Sequence, residues 1–265
     1  MNTAVSKISL SFQKKRGVYL VFSLPQTNYY QEIIDLATIP FKSYNLSGNK
    51  VAIFYLNDVE KEVKIDFQTK LKPYSVFIDK NYKISDYSRN VFTSSNRFIN
   101  GQDPEIIKIA NKAVGKEKNL EIIIKNLYLF TRKYLTYGKP TEGLYSYKQA
   151  MEERITDCGG FSTFLASLLQ SQNISSRLVV GYIVKPNFFQ KLFPEYLILN
   201  TKYLRIHAWL EVMLPDKKWF PIDPSTGKFG VLPANRLVTS FGCDFNLKID
   251  NNSYQIDLFQ NPIYL

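Results

Sequence analysis

The chain has 265 residues, 45% of them hydrophobic and 15% aromatic, which suits a packed globular protein and excludes a disordered or fibrous one. Its net charge of +11 is spread along the sequence without a Lys/Arg run, so it reads as a solvated surface; no nucleic-acid-binding motif accompanies it. Two cysteines and one histidine exclude a disulfide framework and leave a metal site almost without donors. No apolar run is long enough to span a bilayer, and the first residues lack the pattern of a signal peptide. The chain as it stands is expected to be soluble and cytoplasmic, with export or anchoring open if it is part of a longer form.

Residues 1 to about 90 alternate apolar and polar side chains, as in Ile8-Ser9-Leu10-Ser11-Phe12 and Val63-Lys64-Ile65-Asp66-Phe67. Asn45 to Asn49 has the composition of a hairpin turn before the strand Val51–Leu56. These short strands predict a small all-β, sandwich-like domain over residues 1–95, with the polar stretch from Ser88 to Gly101 as a linker. It contains neither His nor Cys, so a structural or recognition role is expected of it.

From 96 to 265 the pattern changes. Asp103-Pro104-Glu105 starts a helix that runs to Val114 and stops at Gly115. A second helix covers about Leu120 to Leu135, and Ser146 caps a short one through Met151. A fourth begins at Cys158 behind the cap residue Asp157, with one apolar stripe at 161, 164, 165, 168 and 169. Strands follow: Arg177–Val184, His207–Leu214 and, after a turn at 215–218, Trp219–Asp223. Helices first and strands afterwards predict an α+β domain.

Cys158 is placed where a helix dipole and unpaired N–H groups lower a thiol pKa, and Gly159 and Gly160 are expected to give access to it. The alternative for an isolated cysteine is a small buried hydrophobe. Folding the last two strands into a hairpin pairs the only histidine, His207, with Asp223. His207, Trp209, Glu211, Trp219 and Asp223 then share one face, and Ala208, Leu210, Val212, Phe220 and Ile222 the other. A cysteine opening a helix, with a histidine oriented by an aspartate, is the thiol version of the catalytic triad.

Four ordered blocks now resemble one family. They are Cys158 at its helix start, Arg177-Leu178-Val179-Val180-Gly181-Tyr182, His207-Ala208-Trp209-Leu210-Glu211-Val212, and Trp219-Phe220-Pro221-Ile222-Asp223-Pro224-Ser225. The stretch from about Asp103 to Ser225 resembles the transglutaminase-like superfamily. Thr156 stands where that family usually has glycine, two residues before the nucleophile. The resemblance implies a papain-like core, a Cys158–His207–Asp223 triad, and an oxyanion hole built partly from the Cys158 backbone N–H. Tyr137 is a candidate second donor, with a plain helix-end aromatic as the equal alternative. Trp209 is expected to wall the cleft, and Arg177 and Glu211 to form a structural ion pair. Cys243 has no motif and reads as a core or incidental thiol. The aromatic-rich stretch 185–205, with Phe188, Phe189, Phe193 and Tyr196, is either a substrate rim or a further hairpin.

The expected activity is cysteine-dependent acyl transfer on an amide bond of a protein or peptide, without cofactor or metal. Hydrolysis is slightly favoured over transfer to an amine. The competing expectation is a catalytically silent scaffold or binding module on the same fold. Oligomeric state is not legible.

Overall fold

The computed structural model describes residues 4–13, 17–38, 41–56, 62–86, 95–138, 140, 143–184, 197–200 and 204–265. Strands come first: β1 (Ala4–Gln13), β2 (Val18–Ser23), β3 (Gln31–Thr38), β4 (Lys42–Leu46), β5 (Asn49–Leu56), β6 (Glu62–Leu71) and the short β7 (Tyr74–Ser75). The turn between β4 and β5 falls at the expected Asn45–Asn49, with Ser47 and Gly48 at positive φ and Asn45 Oδ1 accepting the Gly48 N–H. The helical part is α1 (Pro104–Val114), α2 (Leu120–Tyr134), β8 (Thr136–Tyr137), α3 (Tyr147–Glu153), β9 (Ile155–Thr156) and α4 (Cys158–Ser171). Each helix starts on a side-chain cap: Asp103, Asn119, Ser146 within a capping box to Gln149, and Asp157. The rest is β10 (Ser176–Val184), β11 (Leu197–Asn200), β12 (Leu204–Met213), β13 (Trp219–Asp223), β14 (Lys228–Phe229), β15 (Val231–Leu232), β16 (Arg236–Phe241), β17 (Phe245–Ile249), β18 (Asn252–Ile256) and β19 (Ile263–Tyr264).

The five-stranded sheet has the order β14-β13-β12-β10-β16, all antiparallel. Leu178, Val180, Ala208, Leu210, Val212, Phe220 and Ile222 pack from this sheet into one core with α1, α2, α3 and α4. This is the α+β arrangement expected from the order of helices and strands. Helix α4 runs through the middle of that core. Instead of burying one stripe it is buried on every side from Cys158 to Leu169. Its polar residues are satisfied locally: Thr163 Oγ1 donates to Tyr145 O at 2.9 Å, and Ser167 Oγ donates to Thr163 O at 2.9 Å.

Two further sheets, β11-β1-β6-β3 and β19-β2-β5-β4, form the β-rich part. Leu20, Phe22, Phe54, Ile65 and Phe67 make its core together with Tyr182, Val184 and Leu237 of the five-stranded sheet. The part is discontinuous in sequence, since β11 and β19 come from beyond residue 95, and β17–β18 covers the face of Val21, Val51 and Ile53. Of the aromatic stretch 185–205, Phe188, Phe189, Phe193 and Tyr196 lie outside the described residues; the backbone of β11 pairs in parallel with β1.

The two parts meet on the second face of the five-stranded sheet, where Tyr30 packs with Val179, Trp209, Leu232 and Val238. The expected Arg177–Glu211 ion pair sits here as a directly opposed strand pair. Arg177 Nε and Nη2 bind Glu211 Oε2 at 2.9 and 2.6 Å, and the Tyr30 hydroxyl donates to Glu211 Oε1 at 2.8 Å. The guanidinium lies 3.9 Å from the ring centroids of both Trp219 and Phe241. A buried carboxylate with three donors and a stacked counter-ion fixes how the two parts register on each other.

Candidate active site

Asp157 caps α4 by accepting the N–H groups of Gly159 (2.8 Å) and Gly160 (3.2 Å). The cap carboxylate thus shares the first N–H groups of the helix with the thiol, which also accepts from the Gly159 N–H. Cys158 itself is buried, with 3% of its surface exposed. Burial pushes its thiol up, the Asp157 charge adds to that, and a hydrogen bond from the Ala208 N–H only partly offsets them, leaving a pKa of about 12. The expectation of a lowered pKa is therefore reversed, because desolvation outweighs the helix dipole. The thiol is neutral until a base takes its proton.

Gly159 and Gly160 do not open the site either; both are buried. A Cβ on Gly159 would lie 2.9 Å from Leu144 Cδ1, and one on Gly160 would collide with Thr156 Oγ1. Thr156, the departure from the family pattern, thus fills the space left by the missing side chain at 160. The glycines answer to packing around the nucleophile rather than to access.

His207 enters from β12, one residue before Ala208, whose carbonyl lies 3.2 Å from Ser162 Oγ. That hydroxyl is also 2.8 Å from Cys158 O, so one proton is shared between the helix and the strand that carries the imidazole. The β12–β13 ladder runs from Leu210↔Ile222 to Met213↔Trp219, two residues away from the expected pairing of His207 with Asp223. Asp223 falls opposite Trp209 by continuation of that ladder. A shift of two preserves the face of every side chain, so His207 and Asp223 still meet, diagonally. His207 Nε2 and Asp223 Oδ2 are 2.8 Å apart, and both residues are buried.

Asp223 is more heavily bonded than the sequence suggests. Oδ1 accepts from Ser225 Oγ (3.0 Å) and the Thr226 N–H (3.1 Å), while Oδ2 also accepts from Arg236 Nη2 at 2.8 Å. Burial alone would raise the carboxyl pKa. The His207 hydrogen bond and charge, with the Arg236 charge, outweigh it and hold the group well below the usual carboxylate range. An ionised carboxylate only accepts, so Nε2 carries a proton toward Asp223, and in the neutral form of the imidazole Nδ1 is the acceptor.

Arg236 was missed at the sequence level. The one available signal was an arginine opening a strand that continues Leu237-Val238, where a buried charge needs a partner. Its partner, Asp223, lies on another strand at no fixed spacing.

Tyr137 sits on β8, paired in parallel with Thr156 of β9, and its ring lies 6.3 Å from Phe161. The residue is 60% exposed; its hydroxyl pKa is raised, by partial burial first and then by the charges of Cys158 and Asp157. Trp209, expected to wall a cleft, is fully buried. It stacks on the His207 ring at 6.0 Å between centroids and backs the imidazole from the core side. Cys243 is half-buried against Asn96 at the rim of a cavity of about 450 Å³. That cavity lies at the far end of α4, lined by Ala166, Gln170, Leu178 and Phe241, and contains no triad residue. Among the described residues no group of three or more His, Cys, Asp or Glu side chains could hold a metal, and no helix is long and apolar enough to cross a membrane.

The helix-start cysteine packed on an antiparallel sheet that carries the histidine and aspartate defines a papain-like α+β core. The sequence profile of the transglutaminase-like superfamily matches residues 107–224, an interval that holds Cys158, His207 and Asp223. This part of the chain belongs to that superfamily. A solved structure of a candidate cysteine protease from Cytophaga hutchinsonii is 18% identical, with a TM-score of 0.64 over 91% of this chain and 81% of that one. The periplasmic domain of TgpA from Pseudomonas aeruginosa is 16% identical, with a TM-score of 0.40 over 80% of this chain and 71% of its own. No match was found among curated proteins.

Proposed function

We propose that the protein is a cysteine-dependent acyl-transfer enzyme acting on amide bonds of a protein or peptide, with Cys158 as nucleophile, His207 as general base and acid, and Asp223 as its orienting carboxylate. The observation that carries this reading is the 2.8 Å His207–Asp223 bond, held one residue from the backbone N–H that reaches the Cys158 sulfur. His207 Nδ1 takes the thiol proton as Cys158 Sγ attacks the carbonyl carbon. The Cys158 N–H and the Tyr137 hydroxyl serve the oxyanion of the tetrahedral intermediate. Collapse breaks the C–N bond, His207 returns the proton to the leaving amine, and a thioester remains on Cys158. Water then attacks the thioester as Nδ1 takes its proton; collapse breaks the C–S bond, the proton returns to Cys158 Sγ, and the acid is released. Water is assigned as the favoured acceptor because it competes without a binding site of its own, whereas a lysine-type amine needs one.

The test is to incubate the protein with a peptide library containing internal amides and a free primary amine, quench in acid, and map covalent adducts by mass spectrometry. An acyl adduct on Cys158, turning over to acid in preference to amide, is expected. Peptide turnover that persists in Cys158→Ala would overturn the assignment. The binding-module reading draws on one observation, the burial of Cys158 with its thiol pushed up to about 12; it requires that no adduct form.

A further inference from the structure

We infer that Arg236 is a positioning residue for the candidate triad, locking the Asp223 carboxylate that holds His207, and that the β-rich part of the protein keeps Arg236 in place. This rests on the triad reading above. Arg236 opens β16 at the edge of the five-stranded sheet and lies outside the stretch that matches the superfamily profile.

Arg236 makes its contacts through Nη1 and Nη2, while its buried Nε has no hydrogen-bond partner. Arg236 Nη2 binds Asp223 Oδ2 at 2.8 Å, the same oxygen that faces His207 Nε2, and lies 3.3 Å from Thr226 Oγ1. Nη1 is held by Asn235 Oδ1 at 2.8 Å. With Ser225 and Thr226 on Oδ1, each carboxylate oxygen has two partners, and rotation of the group would break four bonds at once. The imidazole then has one acceptor in one fixed direction, which selects the Nε2–H tautomer and leaves Nδ1 bare. Stability alone does not call for this arrangement. Buried ion pairs are commonly replaceable by apolar groups at no loss. A guanidinium 4% exposed, sharing one oxygen with the only histidine, is better accounted for by what it does to that histidine.

Arg236 reaches the site because β16 is pressed against β10 at a bulge between Val180 and Gly181. Gly181 is the residue opposite His207, and a Cβ there would collide with Leu237 O. From the other side, Gln31 grips the next part of β16. Its Oε1 accepts the Val238 N–H at 2.6 Å and its Nε2 donates to Val238 O at 2.8 Å, while the Gln26 N–H donates to the same carbonyl at 3.0 Å. The buried Gln31 side chain thus serves β16 as a missing neighbouring strand. Through it the β-rich part acts on the site without supplying a group that touches substrate.

The single histidine makes the test direct, since every imidazole signal in an NMR spectrum belongs to His207. Imidazole-selective ¹H–¹⁵N spectra of the parent are expected to show one tautomer, with a slowly exchanging, downfield Hε2. Arg236→Met removes both donors at similar length; it is expected to lose that signal while the backbone amide spectrum stays folded. Turnover of the peptides identified above should fall on the order of 10-fold to 100-fold in kcat with little change in KM, the range seen when second-layer partners of ligating histidines are removed. Arg236→Lys, which restores a donor and the charge, should recover part of both. A folded Arg236→Met with the parental imidazole spectrum overturns the inference. If that variant does not fold, Gln31→Leu decides: a loosened β16 must broaden or shift Hε2, and an unchanged signal overturns the coupling. A parent that shows the locked tautomer but forms no adduct on Cys158 sinks the acyl-transfer reading and leaves the role of Arg236 standing.

Discussion

Asp223→Asn is expected to lower stability and turnover together. The two oxygens of Asp223 accept from four donors, so an amide cannot satisfy both sides. With its oxygen toward His207 and Arg236, its NH₂ meets the Thr226 N–H; turned over, it meets Nε2–H and the guanidinium. Either way Arg236 is left as a buried cation without its counter-charge, a defect that typically costs about 3–5 kcal/mol. Turnover should fall toward the roughly 10⁴-fold loss known when an orienting aspartate is replaced and the histidine tautomer goes wrong. The pH dependence separates this from a general packing defect. The folded-state pKa of Asp223 is depressed, so its contribution to stability is fully present above the unfolded carboxyl value, about 3.9, and is lost as pH falls below it. Urea unfolding should therefore show the parent losing stability from neutral pH to pH 3 more steeply than Asp223→Asn. Equal slopes would contradict the assigned charge state.

The second large effect is expected at Gly181. Alanine there places a methyl group against the backbone carbonyl of Leu237, and a main-chain atom cannot turn aside as a side-chain tip can. Overpacking of this kind costs about 1–3 kcal/mol. Its more specific consequence is displacement of β16, which takes Arg236 off Asp223. Gly181→Ala should therefore reproduce the loss of the His207 Hε2 signal, although position 181 touches neither His207 Nε2 nor Asp223. A variant that is destabilised but keeps that signal would show that β16 gives way without moving the arginine.

Local signals in the sequence carried most of the fold. Caps at Asp103, Ser146 and Asp157 and the turn at Asn45–Asn49 lie where residue chemistry places them, because each depends on atoms a few positions apart. The alternation of β12 and β13 correctly sorted His207 and Asp223 onto one face, since face depends only on parity. The register came out two residues away because His207 was paired directly with Asp223, whereas the ladder sets Asp223 diagonally from it, beyond Leu210↔Ile222. What depended on distant chain stayed hidden. The burial of α4 on all sides reflects four packing elements that no stripe within α4 records. The thiol pKa turned on desolvation by the surrounding core and then on the Asp157 charge. Arg236 and Gln31 act through contacts between residues that no local pattern links.

The central claim is that His207 activates Cys158, and the two cysteines supply a matched comparison for it. Burial pushes the thiols of both Cys158 and Cys243 up to about 12, so desolvation alone makes both unreactive near neutral pH. The decisive measurement is the alkylation rate of each cysteine against pH in the folded protein, read by mass spectrometry in the parent and in His207→Ala. The account predicts that Cys158 is modified well ahead of Cys243 in the parent and falls to the rate of Cys243 when the imidazole is removed. Cys158 reacting no faster than Cys243 in the parent, or equally fast without His207, would contradict it.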